Sequence, residues 1–302
     1  MIENIDCNFY DLHVHCGPEG IERKYDFMEL DEMANKNNVR GIVAKSHFFS
    51  TVPWSYSSKK HGAGKLHGSL VLNHYQGGIN HYAVASSASL KYQGKPCLSI
   101  VWMPTIHAKG HIEMQREHGQ TYDIPAEWTD GIMSPASSPL NEIEPIYILN
   151  EKTKQETEKV IKIIAEQNLT LATGHLTKDE ILWLVPNAVS HGVKKIILTH
   201  PLYDATALSC SDIKALTSYN GVYAEQSYGL MLIDNLPIQK IIEQIKAVGA
   251  EKTILTTDLG QKQNEDPPQG MKTFIKLLKK EGITEEELNQ MINLNPDKII
   301  NN

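Results

Sequence analysis

The segment Tyr10-Asp11-Leu12-His13-Val14-His15 puts two histidines one residue apart at the end of an apolar run. In a strand, side chains at i and i+2 leave the same face. His13 and His15 would therefore project together, with Val14 turned away. Two neutral imidazoles on one face can share a metal ion, and imidazole is a good ligand for zinc. Further apolar runs also end in residues that ligate metals or move protons. Lys45 and His47 follow Val43-Ala44, His175 follows Gly174, His200 follows Leu198-Thr199, and Asp258 follows Leu255-Thr256-Thr257. A histidine at one such place is commonly a structural, hydrogen-bonded residue. Four separate runs delivering His or Asp are harder to explain that way, and they point to a metal site.

The elements that must carry these residues alternate. Strands are expected at 8–15, 39–46, 68–73, 96–103, 169–173, 195–199, 221–225 and 253–257. Amphipathic helices are expected between them, for example at 27–37, where Phe27, Leu30, Met33 and Ala34 recur at helical spacing. Thr177 with Glu180 and Thr284 with Glu287 each spell a capping box at a helix start. Such alternation indicates a parallel sheet. Eight strand-helix units in 302 residues predict an α/β fold, a single (β/α)8 TIM-barrel domain over residues 1–302. Long loops are expected after strand two (49–67) and strand four (104–145), with a short extra strand at 146–149. In such a barrel, residues at the C-terminal ends of the strands meet on one rim, where active sites are built.

Composition excludes several classes of partner. Lys plus Arg is 29 and Asp plus Glu is 36, a net charge of −7 with no basic block, which argues against nucleic acid. No apolar run approaches the roughly 18 residues of a membrane helix. Residues 1–6 are acidic and lack a signal-peptide pattern. The four cysteines, Cys7, Cys16, Cys97 and Cys210, form no Cys-x-x-Cys pair. A reducing, cytoplasmic location is expected.

The ordered set of His13-Val14-His15, one histidine after each of strands five and six, and Asp258 after strand eight resembles the amidohydrolase superfamily of metal-dependent hydrolases. Asn295-Pro296-Asp297-Lys298-Ile299-Ile300 is similar to that family's ending, and the resemblance spans nearly the whole chain. It implies one or two divalent ions, zinc first and manganese or iron next. His13, His15, His175, His200, Asp258 and Lys45 are the candidate ligands. It also makes a homo-oligomer a natural assembly. One departure stands out: strand four ends Val101-Trp102-Met103-Pro104-Thr105, without the Lys or Glu that the family often uses to bridge two ions. Lys45 after strand two is the nearest substitute. It could be carbamylated and bridging, or cationic and facing an anionic substrate or intermediate, since an ammonium has no lone pair to give.

The implied chemistry is hydrolysis of a small molecule by a metal-activated water, first of all at the C–N bond of an amide or cyclic amide. A lactone or phosphoester suits the same machinery. Asp258 would accept and return the proton, Lys45 would ligate or hold charge, and His200 would ligate or polarise the scissile carbonyl. His47, His74, Tyr203 and Glu225 are candidates for substrate contact, and Glu225 could instead orient a histidine. The competing class is a barrel that binds a metal or ligand without catalysis. Asp258 argues against it, because a binder needs no general base.

Overall fold

The protein is described by a computed structural model covering residues 8–118 and 143–301. The expectations for residues 1–6, and for 119–142 within the long segment after strand four, lie outside the described residues. Eight parallel strands form one sheet: β1 (Tyr10–His15), β2 (Gly41–Lys45), β3 (Leu66–Val71), β4 (Leu98–Trp102), β5 (Thr170–Ala172), β6 (Lys195–Leu198), β7 (Val222–Ser227) and β8 (Thr253–Thr256). They lie in chain order. The sheet closes on itself where Val14 bridges Leu259 in parallel and the Asp258 amide donates to the His13 carbonyl at 2.9 Å. The expected barrel is therefore the fold found.

The lumen is filled by inward side chains from all eight strands, among them Leu12, Val43, Val71, Ile100, Trp102, Ala172, Ile197, Tyr223 and Ile254. Each aliphatic side chain fully buried there contributes about 1.5–3 kcal/mol. A second apolar layer lies between the strands and the outer helices. Its members include Val14, Leu30, Ile245 and Phe274 on one side and Leu70, Val101, Ile164 and Leu184 on the other.

Strand β1 carries a local irregularity that matters for the chemistry. Asp11 pairs with Ile42 and Val14 with Ala44, so two residues of β1 oppose Val43 alone. Such a bulge reverses which alternate residues face inward. Tyr10 and Leu12 point into the lumen below it, whereas Val14 and Cys16 join the outer layer above it. His13 and His15 are thereby turned inward at the rim. The His13 amide freed from the ladder donates to Asp11 Oδ1 at 3.3 Å, and Asp11 also accepts from the Thr257 amide at 3.1 Å.

The segment after β2 departs from expectation. Residues Val52–His61 form a helix, α2, after α1 (Phe27–Lys36). Its buried face is Val52, Ser55 and Ser58, so no apolar stripe betrays it in the sequence. The serine hydroxyls are satisfied by the Leu66 carbonyl and by Asp31. Likewise, α4 (Lys109–His118), following α3 (His81–Ser89), occupies the start of the segment after β4. In place of the extra strand at 146–149 there is a single bridge from Ile146 to Ala108. The capping boxes at Thr177 and Thr284 are both formed. No helix among the described residues is long and apolar enough to cross a membrane.

Gly260 holds the closure beside the site. Its φ is +133°, and a Cβ there would lie 1.9 Å from the His15 carbonyl oxygen. Gly260→Ala is expected to cost about 3 kcal/mol through backbone strain and overpacking. Urea unfolding of the variant checks this. A midpoint equal to the parent's would contradict it.

Candidate metal centre

His13 and His15 reach the rim from β1 and Lys45 from the last residue of β2. Beyond their strands, His47, His175, His200 and Asp258 lie in the βα turns. His200 and Asp258 both take left-handed backbone angles, φ 45° and 54°. Such angles are uncommon for non-glycine residues, with Asn, Asp and His the types that adopt them most readily. Asp258 is the hub. Its Oδ1 lies 3.0 Å from His13 Nε2 and 3.1 Å from His15 Nε2, and its Oδ2 lies 3.3 Å from His200 Nε2. Lys45 Nζ lies 2.7 Å from His13 Nε2.

Beneath this layer Glu225 supports two of the histidines. Its Oε1 accepts from His13 Nδ1 and from Thr256 Oγ1, each at 2.9 Å, and its Oε2 accepts from the His200 amide at 3.2 Å. The pKa of Glu225 falls to about 2: burial raises it, but His13 and His200 outweigh burial. An ionised carboxylate accepts only, so it holds the His13 proton on Nδ1 and leaves Nε2 turned toward Asp258 and Lys45. Metal-binding histidines are commonly held in this way. Asp258 is likewise driven well below the ordinary carboxylate range by His13 and His200, against the pull of burial.

The donor set suits a divalent ion. His13, His15 and Asp258 each offer one ligand atom, all within 4.8 Å of one another. Nitrogen and carboxylate donors in this mix favour zinc and its neighbours over magnesium or calcium. His175 adds a buried Nε2 with no hydrogen-bond partner among the described residues. Burial holds His15, His47 and His175 well below their ordinary pKa, in the neutral form a ligand needs. Burial opposes a proton on His13, yet Asp258 and Glu225 raise its pKa. Burial pushes Lys45 down to about 8. Two cations do not sit 2.7 Å apart, so one member of the Lys45–His13 pair is uncharged.

These shifts set a pH dependence of stability. Burial takes His111 down to about 3 and His200 to about 4. Between about pH 6.5 and 4.5 the unfolded chain binds protons at these positions and the folded chain does not, so stability falls with pH. The ceiling for two groups is ~5 kcal/mol. Asp11, pushed up to about 7 by burial, protonates in the fold first and offsets part of this. His15, His47, His67 and His175, also held low by burial, act in the same direction, so a net loss of at least roughly 3 kcal/mol is expected for metal-free protein over that range, read from urea midpoints. A flat profile would contradict it.

A cavity of about 360 Å³ opens over the cluster, lined by His15, Lys45, His47, His175, His200, Asp258 and also His111, Gln115 and Tyr203. His47 Nδ1 pairs with Thr105 Oγ1 at 3.0 Å, and its ring lies 4.6 Å from that of His15. Tyr203 OH contacts His111 Nδ1 at 2.9 Å, and Gln115 contacts His111 Nε2 at 2.7 Å. Glu225 lies under the histidines and is not among the cavity-lining residues. His74 is also outside the cavity, with its Nε2 on the Glu144 carbonyl at 2.7 Å. At the end of β4, Trp102 packs its ring 5.4 Å from His13, beneath Lys45.

The strand-end pattern of the sequence marks none of His111, Gln115, Glu19 and Arg23. Arg23 Nη2 lies 3.3 Å from His15 Nδ1 and is ion-paired with Glu19, whose other oxygen accepts from the His47 amide at 3.0 Å. The motif positions carry no signal for these residues, which come from loops and helix α4.

Solved structures with the same fold include three hydrolase-related proteins. A phosphotriesterase homology protein from Escherichia coli is 12% identical, with TM-score 0.57 over 98% of this chain and 99% of that one. An organophosphorus hydrolase from Deinococcus radiodurans is 11% identical, with TM-score 0.57 over 97% and 92%. A lactonase template engineered for organophosphate hydrolysis is 11% identical, with TM-score 0.55 over 97% and 95%. At such identity the likeness is one of fold, and it is the fold that the resemblance to amidohydrolases implied. A search of curated protein sequences finds no match. A family model does match, over residues 8–225, a span holding His13, His15, Lys45, His175, His200 and Glu225: the chain belongs to the family of unknown function DUF6282.

Proposed function

We propose that the protein is a metal-dependent hydrolase of small molecules, acting on the C–N bond of an amide or cyclic amide. One observation carries this reading: His13, His15 and His200, from β1 and the turn after β6, converge on both oxygens of Asp258 at the floor of a cavity. His13, His15 and Asp258 would hold the ion, zinc first and manganese or iron next, with His175 and His200 completing the set. A divalent ion in such a set supplies a nucleophile at neutral pH by lowering the pKa of water from 15.7 to about 7. Asp258 is ionised, so it can accept a proton and return it to the leaving nitrogen. Lys45, at the same floor, stabilises the negative charge that develops on the carbonyl oxygen. Tyr203 and His47 line the cavity and contact the substrate.

Lactone hydrolysis is the second reading, because one solved structure of this fold is a lactonase template. A lactone needs no protonated nitrogen leaving group, so the same residues suffice.

Elemental analysis of protein purified without added metal, beside His13→Ala and His15→Ala variants, tests the proposal. About one equivalent of zinc, manganese or iron, lost in both variants, is expected. Two equivalents would instead favour the carbamylated form of Lys45 over the cationic one. A folded protein with no metal, and none taken up on adding zinc, would remove the basis of the reading.

A further inference from the structure

The proposed reading leaves open what flanks the scissile bond, and the outer half of the cavity bears on it. Among the described lining residues Lys45 is the one cation. It is 1% exposed and engaged with His13 at the floor. The mouth is formed by the loops after β7 and β8, where Asn235 and Gln263 present exposed side-chain amides. Beside them Leu232 and Ile233 are 43% and 36% exposed, an apolar wall open to solvent at the same mouth.

A carboxylate or phosphate entering such a mouth would lose hydration and meet no guanidinium or ammonium among the described lining residues at that end. Carboxamides offer donors and acceptors together, which suits an uncharged group carrying N–H and C=O. The exposed leucine and isoleucine suit an alkyl or aryl flank. We infer that the mouth formed by Asn235, Gln263, Leu232 and Ile233 selects uncharged, partly apolar carbonyl compounds and rejects those bearing a carboxylate or phosphate at that end. A cavity of about 360 Å³ accommodates one ring with one branched substituent. The inference rests on the hydrolase reading for the orientation of the ligand, with its carbonyl at the floor and its substituent at the mouth.

The test uses two lactams matched in size, one with an isobutyl substituent and one with carboxymethyl in its place. Binding to zinc-loaded protein is measured by calorimetry, and hydrolysis is followed in parallel. The isobutyl lactam is expected to bind at least about tenfold more tightly than the carboxymethyl lactam, a difference of about 1.4 kcal/mol. Gln263→Arg, an exposed substitution, is expected to narrow or reverse that preference. Equal or tighter binding of the carboxymethyl lactam to the parent protein would overturn the inference. So would binding of neither lactam, or a preference unchanged in Gln263→Arg. Selective binding of the isobutyl lactam without turnover would support the inference while counting against amide hydrolysis, so the two failures are distinguishable.

Discussion

Asp258→Asn lowers kcat by about 10²–10⁴-fold at saturating zinc, the range typical for loss of a general acid–base. Asn is the informative replacement. It keeps the shape of Asp and tolerates the left-handed backbone found at position 258, φ 54°. An alanine there would add backbone strain to the chemical change. What the substitution removes is charge: both carboxylate oxygens face imidazole nitrogens, with Oδ1 on His13 and His15 and Oδ2 on His200. An amide keeps one acceptor and points N–H donors at a ring nitrogen on the other side. Zinc affinity should weaken as well, so turnover is to be compared only where added zinc restores full occupancy. A variant that retains zinc and works within a factor of ten of the parent would remove Asp258 from the proton-transfer role.

Glu225→Gln is expected to weaken zinc binding about 10–100-fold without touching the cavity. The carboxylate is 2% exposed and accepts from His13 Nδ1, Thr256 Oγ1 and the His200 amide. Glutamine must turn an N–H toward one of these donors, leaving it unsatisfied at a cost of about 1–3 kcal/mol. Where the amide nitrogen takes the place of Oε1, His13 loses the acceptor that holds its proton on Nδ1; where it takes the place of Oε2, the His200 amide is left unsatisfied, and in both cases the negative charge facing the two rings is gone. The effect has a pH signature. Glu225 titrates at about 2 in the fold, held there by His13 and His200 against the effect of burial. A free glutamate titrates near 4.3. Its stabilisation is therefore complete above about pH 4.3 and lost as pH falls toward 2. Parent and variant should differ most in urea midpoint at neutral pH and converge in acid. Competition with a zinc chelator measures the affinity, and an unchanged zinc Kd would show that Glu225 does not position the ligands.

The strand ends and their order were legible in the sequence, because a strand's period of two and the placement of His or Asp after an apolar run are local patterns. The capping boxes at Thr177 and Thr284 were legible for the same reason, since each needs only four consecutive residues. Repetition of the strand-helix unit then specified the barrel, and the barrel specified a common rim. Helix α2 escaped because its buried face is serine paired with Asp31 and a backbone carbonyl, which hydrophobic periodicity cannot register. The i and i+2 spacing of His13 and His15 placed them on one face, but it did not say which. The bulge opposite Val43 decided that, and a bulge depends on pairing with a strand some thirty residues away. In the sequence, Glu225 suits substrate contact, the orientation of a histidine or a structural pairing. Its position under His13 and His200 follows from the neighbouring places of β6, β7 and β8 around the barrel and their closure onto β1. His111, Arg23 and Glu19 reach the cluster from segments with no periodic signature. Local sequence determined which residues could do chemistry and on which rim they stand. Only the closed barrel decided which atoms meet, because those contacts join residues up to 245 positions apart, as between His13 and Asp258.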